Sequence, residues 1–206
     1  MQESTRLQLD FIPDNDPSLK LFDSSQKITL REVTNLLEFL LSRDYLDVSQ
    51  IRGEVLNWGC SSGGESYIFR KNGANVTAID EKPERIARLL KAEILPEDRA
   101  IVGDGIEYLG NTPDDTYGLI TAFMFTTFSL NLRWYELLTN FYKESNRAIK
   151  PSGRILITSD GGTMGNIKKL LIGYGDYVDR RIESIFIGKK VNYLYFPSWD
   201  CWAREY

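Results

Sequence analysis

One short passage constrains the fold most. The apolar run Glu54-Val55-Leu56-Asn57-Trp58 stops at Gly59-Cys60-Ser61-Ser62-Gly63-Gly64, and a helical pattern follows directly. A buried strand turning through glycines into a helix is the opening unit of a doubly wound α/β sheet. The alternation then continues. Residues 65–71 read as a helix with Asn72-Gly73 as its stop, and residues 75–80 as a strand ending on Asp80. Pro83 opens a helix whose buried stripe is Ile86, Leu89, Leu90 and Ile94. Residues 100–102 make a third strand, closed by Gly103-Asp104-Gly105, and residues 119–125 a fourth. Leu137, Leu138, Phe141 and Ala148 mark another helix. The turn Lys150-Pro151-Ser152-Gly153 leads into a fifth strand over 154–158, and residues 166–174 read as a shorter helix.

Near-continuous apolar strands separated by helices predict a mostly parallel sheet covered on both faces. Upstream, Thr29 and Glu32 form a capping box, and Leu30, Val33, Leu36, Leu37, Leu40 and Leu41 recur at helical spacing, predicting a helix from Thr29 to about Arg43. Residues 1–26, with Pro13 and Pro17 and no sustained period, read as an N-terminal arm able to act as a lid. Residues 27–206 read as one domain. From residue 177 onward the helical pattern is absent, and the segments 182–187, 191–196 and 201–205 predict antiparallel strands on one sheet edge. The expected architecture is thus a doubly wound, mostly parallel α/β sheet of seven strands, with helices on both faces and antiparallel C-terminal strands.

Composition narrows the chemistry. The 206 residues include no histidine, which excludes Ser-His-Asp and Cys-His catalysis and most transition-metal centres. Two cysteines, Cys60 and Cys201, are too few for a disulfide framework and wrongly spaced for zinc, so no metal site is expected. A net charge of −4 gives no global attraction for a polyanion, which disfavours nucleic acid and leaves a small molecule as the expected partner. The longest apolar stretch, 119–125, falls far short of the ~20 residues of a membrane-spanning helix. The N-terminus lacks the basic start and apolar middle of a secretory signal, and a cytoplasmic location is the expectation.

In a doubly wound sheet a ligand sits beyond the carboxyl ends of the strands, where a glycine turn lets backbone amides approach it. Gly59, Cys60, Ser61 and Gly63 occupy that position. Asp80, ending the second strand, can accept from both ribose hydroxyls of a nucleoside or can cap the next helix. Asp104, ending the third, can accept from an exocyclic amine. Two enzymatic readings fit. Gly59-x-Ser61-x-x-Gly64 is one substitution from the dinucleotide pattern, so an NAD-dependent oxidoreductase fits the turn, with Asp80 on a ribose. Against it stand Asp104, the helix-free C-terminus and a chain short of a substrate domain. A non-catalytic nucleoside-binding module is a third reading.

Taken in order, these motifs resemble the class I S-adenosylmethionine-dependent methyltransferases, from about Val55 to Thr158. Val55-Leu56-Asn57-Trp58-Gly59-Cys60-Ser61-Ser62-Gly63 is similar to that family's first strand and turn, Val76-Thr77-Ala78-Ile79-Asp80 to its second strand and ribose acid, and Gly103-Asp104-Gly105-Ile106-Glu107 to its adenine-binding segment. The turn at Ile149-Lys150-Pro151-Ser152-Gly153 is similar to the entry to its fifth strand. Two positions depart from the pattern: Asn57 stands where the family has an acid, and Ser61 where it has a glycine. The resemblance implies S-adenosylmethionine as cofactor, bound through Asn57, Gly59, Cys60, Ser61, Gly63, Asp80, Glu81, Asp104, Gly105 and Phe123.

The acceptor site of such an enzyme would lie after the fourth strand. No Asn-Pro-Pro-aromatic or Asp-Pro-Pro-aromatic motif stands there, which argues against DNA bases and glutamine amides. Phe128, just past the strand, is the candidate acceptor contact. The expected chemistry is in-line methyl transfer driven by positioning, with no obligatory base. The one candidate base is Asp160 in Thr158-Ser159-Asp160-Gly161-Gly162, although an Asp before two glycines reads first as a turn residue.

Overall fold

A computed structural model describes residues 24–42, 45–61, 63–122, 134–158, 186–187 and 193–196. Five parallel strands form the centre: β1 (Glu54–Trp58), β2 (Asn75–Asp80), β3 (Ala100–Val102), β4 (Tyr117–Ala122) and β5 (Ile149–Thr158). They lie in the order β3-β2-β1-β4-β5, so the chain builds outward from β1 in one direction and then crosses to build in the other. That reversal beside β1 creates a crevice at the carboxyl ends of β1 and β4.

Because successive side chains point to opposite faces, each strand feeds two cores. Val55, Val76, Ala78, Leu119 and Leu156 pack with helices α1 (Ser24–Ser42), α3 (Gly64–Lys71) and α4 (Pro83–Lys91). Leu56, Ile79, Ile120, Ile155 and Ile157 pack on the other face with Leu109 of α5 (Gly105–Asn111) and Phe141 and Ala148 of α6 (Trp134–Ala148). The expected helix-covered parallel sheet is therefore present.

Several boundaries differ from expectation for identifiable reasons. α1 begins at Ser24, so Thr29 lies within the helix rather than at its cap. A capping box is instead present at α2 (Val48–Arg52), a helix absent from the elements expected from the sequence. Asp47 accepts from the Ser49 amide at 2.7 Å, and Gln50 accepts from the Asp47 amide at 2.8 Å. Five residues are too few for apolar periodicity to register, and only the cap signal marks them. β5 starts five residues earlier than expected, because the Lys150-Pro151-Ser152-Gly153 turn lies inside it, with a register shift against β4 between Tyr117 and Leu119. β4 is described only to Ala122.

At the β5 edge, β7 (Tyr193–Phe196) pairs in parallel with β5, and β6 (Phe186–Ile187) pairs antiparallel with β7. The remainder of the expected C-terminal strands, the expected helix over 166–174 and the N-terminal arm up to residue 23 lie outside the described residues. No helix among the described residues is long and apolar enough to cross a membrane.

Candidate functional site

The carboxyl ends of β1, β2 and β3 bring the turn, Asp80 and Asp104 to one edge of the sheet. The turn takes its shape from backbone that ordinary residues resist: Gly59 has φ +70° and Gly63 φ +85°, and Ser61 is also left-handed at φ +48°. At Gly63 a β-carbon would also run into the Leu89 side chain.

The turn's described amides face the protein. Gly59 and Cys60 both donate to the Ile79 carbonyl, at 2.8 and 3.3 Å, and Gly63 donates to the Cys60 carbonyl at 2.8 Å. The Ser61 amide donates to Asp80 Oδ2 at 3.1 Å. These donors were expected to reach a ligand, and the structure commits them internally.

Asp80 is buried (4% exposed) and more heavily engaged than a free ribose acid. Besides Ser61, the Lys82 amide donates to its Oδ1 at 3.0 Å, and Arg85 of α4 forms an ion pair with Oδ2 at 3.0 Å. Sequence reading missed Arg85 because nothing local announces that a residue one turn into the next helix folds back on the strand end. Glu81 is exposed beside Asp80. Val102, opposite Asp80 in the β2–β3 register, is 50% exposed and gives this corner an apolar surface.

Asp104 is the N-cap of α5, its Oδ1 accepting from Ile106 and Glu107 amides at 2.7 and 2.9 Å. Gly105 is buried, and a β-carbon there would fall within the Trp58 indole, so packing by itself accounts for this glycine. Cys60 is buried, and desolvation, reinforced by the Asp80 and Glu65 carboxylates, pushes its thiol pKa well up, which leaves it inert as a nucleophile.

Asn57 ends β1 almost fully buried. Its Nδ2 donates to Ser66 Oγ at 2.9 Å, and its Oδ1 accepts from Thr121 Oγ1 at 3.4 Å. Next to Ser66, Glu65 is also buried and its Oε2 has no hydrogen-bond partner; burial pushes its pKa up to about 7. Sequence reading did not single Glu65 out, although a signal existed: Glu65, Ile68, Phe69 and Asn72 recur at i, i+3, i+4 and i+7 and all are buried.

Phe123, Phe128 and Asp160 lie outside the described residues. Among the described residues no three His, Cys, Asp or Glu side chains gather in a way that could hold a metal ion. The remaining arrangement fits a nucleoside carrying a cationic tail, since it combines a strand-end carboxylate, an exposed aliphatic surface and a buried carboxylate with an orphaned oxygen.

Residues 56–157, from β1 through β5, match the methyltransferase domain family. No curated protein matches the chain. Among solved structures, an S-adenosylmethionine-dependent methyltransferase from Archaeoglobus fulgidus is 20% identical with a TM-score of 0.46, over 67% of this chain and 54% of its own. A protein from Pyrococcus horikoshii is 20% identical with a TM-score of 0.54, over 77% of this chain and 67% of its own. The latter likeness is one of fold. The chain thus spans about half the length of the Archaeoglobus protein. Through residues 56–157 the chain belongs to the methyltransferase domain family, whose methyl donor is S-adenosylmethionine.

Proposed function

We propose that this chain transfers a methyl group from S-adenosylmethionine to a small-molecule acceptor. The observation that carries the reading is the family match over residues 56–157, which spans the three strand ends where the turn, Asp80 and Asp104 converge. The nucleoside would lie along the carboxyl edge of β1, β2 and β3. Asp80 would accept from the ribose hydroxyls, exchanging its contact with Arg85, and Asp104 would accept from the adenine amine through the oxygen its helix cap leaves over. Gly59, Cys60, Ser61 and Gly63 would line the amino-acid end, with Asn57 beneath them. Glu81, Gly105 and Phe123 would complete the cofactor contacts.

When bound, the cofactor supplies an electrophilic methyl on a sulfonium, and the protein's task is to hold the acceptor in line with it and keep water away. Positioning of this kind can supply roughly 7–11 kcal/mol of a barrier. Phe128 would form part of the acceptor wall, Asp160 would take a proton where the acceptor must lose one, and the arm, cut back to residues 1–23 by the start of α1 at Ser24, would close the pocket. The C-terminal segments would complete a seven-stranded sheet in which β7 runs parallel to β5 and the antiparallel pairing is that of β6 with β7.

Isothermal titration with S-adenosylmethionine, S-adenosylhomocysteine and NAD tests the reading. Saturable binding of the first two and none of NAD is expected. Saturable NAD binding without heat from either sulfur nucleoside would overturn it in favour of an oxidoreductase.

A further inference from the structure

The acid that the family places at the end of β1 is absent, because Asn57 stands there with an uncharged amide that donates to Ser66 and accepts from Thr121. A cationic ligand group arriving at this corner would therefore find no charge from β1. One helical position before Ser66, however, the first turn of α3 carries Glu65, 6% exposed, with Oε2 bonded to nothing. A buried carboxyl group with one oxygen left unpartnered is costly to keep. Burial in the first turn of a helix does not explain it, since the N-terminal dipole is served as well by an exposed acid.

The carboxylate lies near the turn, because its charge and that of Asp80 both act on the Cys60 thiol. The adjoining glycines pack on apolar side chains: Leu30 of α1 lies against Gly64, and Leu89 of α4 and Ile94 lie against Gly63. Of the described titratable groups, the Cys60 thiol of the turn is the one that feels the Glu65 carboxylate, while Asp80 from β2 and Arg85 from α4 are paired with each other. No cation among the described residues pairs with Glu65.

We propose that Glu65 is the anionic partner of the cofactor's α-ammonium, supplying from α3 the charge that Asn57 does not supply from β1. The inference rests on the methyltransferase reading and goes beyond it in naming the residue and its protonation. Without a ligand Glu65 holds a proton at mildly acidic pH, as its raised pKa of about 7 requires. Arrival of the ammonium, which stays charged because α-amino groups titrate above about 7.7, favours the carboxylate. The carboxyl O–H bond then breaks and its proton passes to the buffer.

Titration calorimetry of the full chain at pH 6, in two buffers of different ionisation enthalpy, reads that proton directly. The probes are S-adenosylhomocysteine, which carries the ammonium, and 5′-methylthioadenosine, which lacks the amino-acid tail. S-adenosylhomocysteine should release about one proton per molecule bound, and methylthioadenosine none. In Glu65→Gln the proton release should vanish and the affinity for S-adenosylhomocysteine fall about ten- to a hundredfold, while methylthioadenosine binds as before and so reports an intact fold. Buffer-independent binding heats for S-adenosylhomocysteine in the unmodified chain, or unchanged affinity in the variant, would overturn the assignment while leaving the methyltransferase reading intact. Failure of the unmodified chain to bind either nucleoside would overturn both.

Discussion

The Trp58 indole fills the volume that a side chain on Gly105 would need. An added β-carbon at Gly105 would fall on the Nε1 edge of the ring, whose other surface meets Phe141 at a centroid distance of 4.7 Å. β1, α5 and α6 are thus locked through one residue, directly beneath the edge where the adenine is expected.

Gly105→Ala should therefore act as an overpacking change. Displacing a buried indole costs typically ~1–3 kcal/mol. For a chain of this size that is a fall in Tm of roughly 2–4 °C per kcal/mol, readable by calorimetry. An unchanged Tm would show that α5 moves freely away from β1.

Asp80→Asn should reduce both stability and cofactor affinity. Sequence reasoning expects only the second effect, but the carboxylate also receives the Ser61 and Lys82 amides and pairs with Arg85. Charge-assisted bonds of this kind contribute about 1.5–3 kcal/mol each, so affinity should drop about ten- to a hundredfold and Tm by a few degrees. Denaturation and titration of the same preparation separate the two. Full affinity in a less stable variant would confine Asp80 to holding the turn.

Arg147→Ala should loosen the end of α5. The guanidinium donates to the carbonyls of Thr112 at 2.6 Å and Leu109 at 2.5 Å, to Asp114 at 2.6 Å and to Glu144 at 3.0 Å. Because the side chain is partly exposed, water replaces some of these bonds, and the loss should be about 1–2 kcal/mol. Hydrogen exchange should quicken over residues 105–116 more than over β1, and uniform exchange would contradict the anchoring role.

The stability of the ligand-free chain should fall with rising pH in a way that depends on Glu65. Its pKa is raised from 4.5 unfolded to about 7 folded, so the folded state binds the extra proton in between. The contribution is fully present below pH 4.5 and is lost as pH rises through 7, with a slope of at most about 1.4 kcal/mol per pH unit. Other carboxylates titrate too, so the quantity to compare is the unfolding free energy of the unmodified chain minus that of Glu65→Gln from pH 4.5 to 8. A pH-independent difference would mean that Glu65 titrates alike in the folded and unfolded chain.

The sheet was legible because its central strands are buried on both faces and so read as unbroken apolar runs such as Leu119-Ile120. The turn was legible because its glycines adopt φ values that other residues avoid. The site's finer chemistry was not. Asp104 and Asp80 look alike in sequence, each an acid at a strand end, yet one caps a helix with its Oδ1 and the other ties down a turn. Arg85 and Glu65 belong to the site only through tertiary placement, and α2 was too short for period to reveal. Glu65 and α2 each carry a local signal and Arg85 carries none; for both side chains the packing of another segment decides what the residue does.

The bond between the Ser61 amide and Asp80 Oδ2 joins the two halves of the proposed cofactor site, since Ser61 belongs to the end that would receive the amino acid and Asp80 to the end that would receive the sugar. A nucleoside that draws on Asp80 is felt at Ser61 before any amino-acid tail arrives, so the two fragments of the cofactor should not bind independently. Methylthioadenosine and methionine, offered together, should show a cross-term in their affinities, equal in both directions as linkage demands.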